Sequence, residues 1–240
     1  MRTALPVFLA ACLLTSAVAA DQKVQLAADP NLSPDGKSLL YAHNGDIFKV
    51  ATKGGRAVKL TSHFANDSQP HYSPDGKSIA FISNRTGSQQ VFVMNAAGGE
   101  PTQLTFHTEG FSLHDWYPDG KHLLVSGNRD HFWKSSSRFM KISATERSTE
   151  KVLFNDYGDE GKVSPDGNRI LFVREGERWW RKGYTGSRSA QIWLFDTTDN
   201  SFTKVVDTPA GDRSPVWAAD GEHFFYCSSD GAKNGARNLW

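Results

Sequence analysis

Ser33-Pro34-Asp35-Gly36 returns as Ser73-Pro74-Asp75-Gly76 and Ser164-Pro165-Asp166-Gly167, with the variants Tyr117-Pro118-Asp119-Gly120 and Ala218-Ala219-Asp220-Gly221 between and after them. Successive copies lie 40, 44, 47 and 54 residues apart. A self-similar period of this length marks an array of like supersecondary units. The string itself encodes a turn. Proline presets φ at the first central position of a type I turn, aspartate is tolerated at the second, and glycine takes the left-handed position that closes a hairpin.

Working outward, each turn is followed by a short apolar run: Leu39-Leu40-Tyr41, Ile79-Ala80-Phe81-Ile82, Leu123-Leu124-Val125, Ile170-Leu171-Phe172-Val173 and Phe224-Phe225-Tyr226. These runs do not alternate, so the strands they form are expected to be buried on both faces. A third strand follows, as in Asp46 to Val50, Gln90 to Met94 and Gln191 to Phe195, then a Gly or Asx turn. A polar-alternating fourth strand, as in Val58 to Thr61 and Thr102 to Thr105, suits an outer edge with one wet face. Four strands per unit at this period describe an all-β fold, a β-propeller of four-stranded blades. The sequence supplies four full blades and a fifth that reaches its third strand at Asn238-Leu239-Trp240, which reads as an incomplete ring and part of a longer protein.

Residues 1–20 are set apart from the fold. Met1-Arg2, the apolar run Ala4 to Leu14 and the small residues Ala17 to Ala20 form the pattern of a secretory signal peptide, leaving residues 21–240 as the propeller domain. The run is well short of the ~20 residues that span a bilayer. Leu9-Ala10-Ala11-Cys12 offers a competing lipoprotein cleavage box. The expected location is therefore exported, periplasmic or extracellular. The mature chain keeps one cysteine, Cys227, in an apolar run, which reads as a small core residue rather than a nucleophile. With 27 Lys+Arg against 26 Asp+Glu, nothing in the charge balance points to nucleic acid.

Chemistry is sparse. There is no nucleophile elbow, phosphate loop, His-Glu-x-x-His or cysteine pair, and the eight histidines recur with no ligand spacing. No catalytic residue, metal site or cofactor is assigned. Binding is expected on loops. In an up-and-down blade, the connections between strands two and three lie on the face opposite the Pro-Asp-Gly turns. The longest, Arg174 to Ala190, has five basic and two acidic residues and contains Trp179, Trp180, Arg181, Lys182, Tyr184 and Arg188. Long loops on a rigid scaffold, rich in Trp and Arg, favour contact with a partner. These six are the candidate substrate-binding residues. Covering the rim of a neighbouring blade explains the tryptophans equally well.

The sequence resembles the amino-terminal propeller of tricorn-type serine proteases and their exported bacterial homologues. The resemblance rests on Asn31 to Gly36 with Asn44 to Val50, on Leu60-Thr61-Ser62-His63, on Val91 to Met94 with Gly98-Gly99-Glu100-Pro101, and on Leu104 to His107. Its most specific part is Trp180-Arg181-Lys182, Tyr184-Thr185 and Ile192-Trp193, where Gly183-Tyr184 replaces an expected histidine pair. The Ser-Pro-Asp-Gly (PD40, WD40-like) repeats are shared with TolB-like and prolyl-oligopeptidase-like proteins. The resemblance implies a six-bladed propeller that gates or channels peptides or unfolded polypeptide into downstream protease domains of the same parent. Those domains carry the catalytic residues. Three functions follow: the substrate-gating domain of a tricorn-like peptidase, a TolB-like periplasmic interaction module, or the propeller cap of a prolyl-oligopeptidase-like hydrolase. None needs nucleic acid, and each is compatible with a homo-oligomer.

Overall fold

In a computed structural model, the described residues are 26–128, 137–176, 184–206, 208–231 and 236–240. They form five antiparallel sheets and no helix. Blade one holds β1 (Ala28–Leu32), β2 (Ser38–His43), β3 (Asp46–Ala51) and β4 (Val58–Lys59). Blade two holds β5 (Asp67–Tyr72), β6 (Ser78–Ser83), β7 (Gln90–Asn95) and β8 (Thr102–Gln103). Blade three holds β9 (Ser112–Trp116), β10 (His122–Gly127), β11 (Arg138–Ser143) and β12 (Lys151–Val152), and blade four β13 (Asp159–Val163), β14 (Arg169–Arg174), β15 (Gln191–Asp196) and β16 (Ser201–Lys204). Blade five has three strands, β17 (Asp212–Trp217), β18 (Phe224–Ser228) and β19 (Asn238–Leu239). Within each sheet the strands lie in chain order, and the first strands of successive blades pack against one another. The first strands are therefore innermost and the fourth strands outermost.

The repeated turn works as its residues dictate. In blade one the Gly36 N–H donates to the Ser33 carbonyl at 2.8 Å, with Gly36 at φ +69°. The Ser33 hydroxyl donates to Asp35 Oδ1 at 2.7 Å and accepts the Ser38 N–H at 2.9 Å. That bond is the first cause holding the Asp35 carboxyl below its ordinary value. Blade two repeats the arrangement through Ser73, Asp75 and Ser78. Where the serine is missing, a histidine five residues on replaces it. His122 Nδ1 reaches Asp119 Oδ2 at 2.6 Å, and His223 Nδ1 reaches Asp220 Oδ2 at 2.8 Å. The His223 bond is the largest cause holding Asp220 down at about 2, and the same pair raises the His223 value.

The second strands are apolar on both faces because alternate residues feed different cores. Ile79 and Phe81 join Leu40 and Ile47 of blade one, while Ala80 and Ile82 join Leu113, Trp116 and Leu123 of blade three. Leu124 and Phe139 meet Ile170 and Phe172 between blades three and four. Leu171 and Val173 meet Trp217 and Phe224 between blades four and five. Each fully buried side chain of this kind contributes ~1.5–3 kcal/mol. Blade stacking, rather than any single sheet, thus supplies the stability.

Two details differ from the sequence reading. The fourth strands are shorter, two residues in blades one to three. In blades one and two a threonine ends the pairing. Leu60 N–H still donates to the Ile47 carbonyl at 2.8 Å, but the Ile47 N–H is taken by Thr61 Oγ1 at 2.9 Å. Thr105 does the same for Val91. Cys227 is only half-buried, because it shares the outward face of blade five with exposed Phe225 and Leu239 rather than the face packed on blade four. His71 and His114 lie within first strands.

Candidate functional site

The first strands meet around a central cavity of about 360 Å³ lined by residues of all five blades. Local sequence dictates how they line it. Counting back four residues from each turn gives Asp29, Gln69, Leu113, Glu160 and Ser214, and all but Leu113 adopt a left-handed backbone, at φ +51°, +50°, +53° and +55°. Pro30, Pro70, Gly161 and Pro215 follow these four. Each of the four sits at a register shift, so the strand bulges there. A non-glycine residue in this region costs roughly 1 kcal/mol or more. The cost is offset by a repeated bond across the blade boundary. Asp29 Oδ2 accepts the Gln69 N–H at 2.9 Å, Gln69 Oε1 accepts the Leu113 N–H at 3.0 Å, and Glu160 Oε2 accepts the Ser214 N–H at 2.6 Å. Two residues further on, Asn31 accepts from Tyr72 N–H at 2.9 Å and Asp115 from Val163 N–H at 3.0 Å. Backbone donors of the innermost edges are thereby satisfied by the preceding blade.

Breaks in the ladder at Leu113 and at His71 are repaired locally. Leu113 has no acceptor for Glu160 N–H, which instead donates to Asp159 Oδ1 at 2.8 Å. His71 gives none to Trp116 N–H, which donates to Asp115 Oδ1 at 2.9 Å. Both breaks leave a histidine at the cavity. His71 Nδ1 lies 3.1 Å from the Gln69 carbonyl, and burial, then the Lys162 ammonium, push its value down to about 3. His114 is the unpaired residue of a bulge in β9. Its Nε2 lies 2.8 Å from Ser126 Oγ and its ring 5.0 Å from Phe139. Burial and Lys162 lower its value well below the ordinary one, against the opposing pull of Asp159, whose Oδ1 is 3.9 Å away. Both rings are neutral at pH 7. Lys162 Nζ donates to the His114 carbonyl at 3.0 Å, tying blade four to blade three. Gly161 faces a packed wall, since a Cβ there would lie 2.6 Å from Phe139 and 2.8 Å from Leu124.

The second feature is the connection from β14 to β15, spanning 175–190, at the end of the blade opposite the Pro-Asp-Gly turn. Its base is tightly held. Arg174 pairs with Asp156 at 3.2 Å and lies over the rings of Tyr157 and Trp193, and the Tyr157 hydroxyl donates to Glu175. Its far end is a turn stitched by Ser189, whose N–H donates to the Gly186 carbonyl at 2.9 Å. Of the six candidate contacts, the structure places Tyr184, half-buried against Gly186, and Arg188, exposed. Trp179, Trp180, Arg181 and Lys182 lie outside the described residues. Neither His71, His114 nor Lys162 stood out in the sequence. Their offset of two or three residues before the four-residue turn string was the available signal, since the residues three before it line the cavity in every blade and those two before it in blades two, four and five.

Among the described residues no group of three or more His, Cys, Asp or Glu could hold a metal ion, and no helix is long and apolar enough to cross a membrane. The bladed sheets, the turn repeat and the central cavity define a β-propeller of the Pro-Asp-Gly repeat type. Residues 24–240 match the tricorn protease N-terminal beta propeller domain, and the chain belongs to that family. No curated protein matches the sequence. Among solved structures, TolB from Agrobacterium tumefaciens is 25% identical at a TM-score of 0.70, covering 87% of this chain and 72% of its own. TolB from Acinetobacter baumannii is 20% identical at 0.70, over 89% of this chain and 51% of its own. The tricorn protease is 19% identical at 0.74, over 90% of this chain and 21% of its own. The last two likenesses speak to the fold alone.

Proposed function

We propose that this chain is the substrate-gating, peptide-channelling propeller of an exported tricorn-like serine peptidase, and that it cuts no peptide by itself. The observation that carries the proposal is the family match over residues 24–240. Peptides or unfolded polypeptide are the partners, together with protease domains of the parent chain. Trp179, Trp180, Arg181, Lys182, Tyr184 and Arg188 are the proposed contacts, with a cation holding a carboxylate and a ring holding an apolar side chain. A ring of six blades is supported by the outward face of blade five. There Phe225 and Leu239 are exposed, whereas their blade-four counterparts Leu171 and Ile192 are fully buried. Export rests on the signal-peptide pattern of residues 1–20.

The test replaces Trp180 and Arg181 separately by alanine in the full-length parent, after each variant is shown to melt normally. Loss of one anchor costs ~1–3 kcal/mol of binding, so long-peptide processing is expected to fall at least fivefold. Unchanged processing by both variants would remove the loop from the function. A second reading, a TolB-like interaction module without a protease, is favoured by the 25% identity to the Agrobacterium TolB. A parent gene with no protease region after this propeller would select it.

A further inference from the structure

The central cavity carries a charge that the chain as a whole does not. The chain is close to neutral, at a formal +1. Among the described residues, the cavity lining contains three carboxylates, Asp29, Asp159 and Glu160, and one ammonium, Lys162. The two lining histidines add nothing, because burial and Lys162 hold His71 and His114 in the neutral form. Beyond the lining, Arg213 is paired with Glu160 at 3.1 Å, and Asp115 lies beside Lys162, so neither restores neutrality. Asp29 and Asp159 are exposed, and each spends one oxygen on a backbone N–H. A concave, low-dielectric wall focuses the field of such charges along its axis.

We propose that the central cavity is a charge selector that admits cationic polypeptide segments, those bearing a lysine or arginine side chain or a free amino terminus, and disfavours acidic ones. This deepens the peptide-channelling reading and rests on it. A volume of about 360 Å³ takes a few residues of extended chain and no folded domain. Selection acts through the unbalanced charges of Asp29 and Asp159, with Lys162 limiting its strength. Position, not identity, makes these residues selective: they stand at the first strands, where every blade faces the centre.

The test is isothermal titration of the chain with blocked hexapeptides of alanine and glycine carrying two Lys, two Gln or two Glu, and with an unblocked Gln peptide. In 50 mM salt the Lys peptide is expected to bind about tenfold more tightly than the Glu peptide, with Gln between, and the gap closes as salt rises. The unblocked Gln peptide distinguishes the amino terminus from the side chain: tighter binding than its blocked form assigns the terminus as well. In the Asp29→Asn, Asp159→Asn double variant the gap is expected to shrink to about twofold. Asparagine keeps the oxygen that accepts each N–H, so the bulges survive. Lys162→Gln is expected to widen the gap. Equal binding of Lys and Glu peptides, a preference for Glu, or discrimination that survives the double variant would overturn the selector while leaving channelling intact. Binding of no peptide at all would overturn the channelling reading, and the selector with it.

Discussion

Arg85→Met is the substitution whose outcome the structure fixes most firmly. Asp67 opens the first strand of blade two with its side chain 0% exposed, and Arg85, from the turn after β6, grips both its oxygens at 3.1 and 3.0 Å. Arg85 Nε also donates to Ser83 Oγ at 2.9 Å, and its guanidinium lies 4.9 Å from the Phe92 ring centroid. Methionine keeps the apolar stem and removes the charge, leaving a fully buried carboxylate without a counterion. Breaking a buried pair from one side costs about 3–5 kcal/mol. In a chain of this size each kcal/mol moves the melting temperature by about 2–4 °C, so a drop of about 10 °C is expected. Adding Asp67→Asn removes the stranded charge, and the double variant is expected to recover at least a third of the loss. Differential scanning calorimetry at pH 7 reads both. If Arg85→Met melts within about 2 °C of the parent, or if the double variant is no better than the single, the buried-charge reasoning is wrong. Asp212 provides an internal comparison. It occupies the matching place in blade five, 1% exposed, with Thr208 Oγ1 donating to one oxygen at 2.7 Å and no partner for the other oxygen among the described residues. Asp212→Asn is therefore expected to be far milder than Arg85→Met.

Other outcomes follow from packing and titration. Gly161→Ala drives a Cβ to 2.6 Å from Phe139 between blades three and four, and a loss of about 1–3 kcal/mol is expected in urea unfolding; parity with the parent would mean the wall yields freely. His71 is neutral in the fold and titrates at about 3, against about 6.5 when unfolded, so the unfolded chain takes up its proton first as pH falls. Its stabilising effect is complete above pH 6.5 and declines below it, by up to about 2 kcal/mol at pH 5, before the turn aspartates begin to titrate. His71→Asn, which can still donate to the Gln69 carbonyl, is expected to reduce the fall in melting temperature between pH 6.5 and 5, with His114 supplying the remainder, and an unchanged slope would contradict this. The 240-residue chain is expected to show no turnover of a fluorogenic peptide library, and activity that follows protein mass through repurification would contradict that.

The all-β architecture was legible because its determinants are local. Pro34-Asp35-Gly36 closes its turn with backbone and side-chain groups at most five residues apart, so any copy of the string announces a hairpin wherever it falls. The unbroken apolar runs announced burial on both faces, since Ile79 and Ala80 point to opposite sides of one strand and each must find a core. The sequence also identified the 175–190 connection as the longest break in the repeat. The cavity was different. Its carboxylates and histidines are scattered over four separate strands, at offsets from the turn that have no meaning until those strands are brought edge to edge. Gln69 meets Asp29 across 40 residues of chain, and Ser214 meets Glu160 across 54. No periodicity within one strand encodes such a pairing. The low His71 and His114 values likewise come from Lys162 and from burial against a neighbouring blade. The local chain thus determined what each blade is, and only the packing of blade on blade decided which side chains share the centre and what charge they present there.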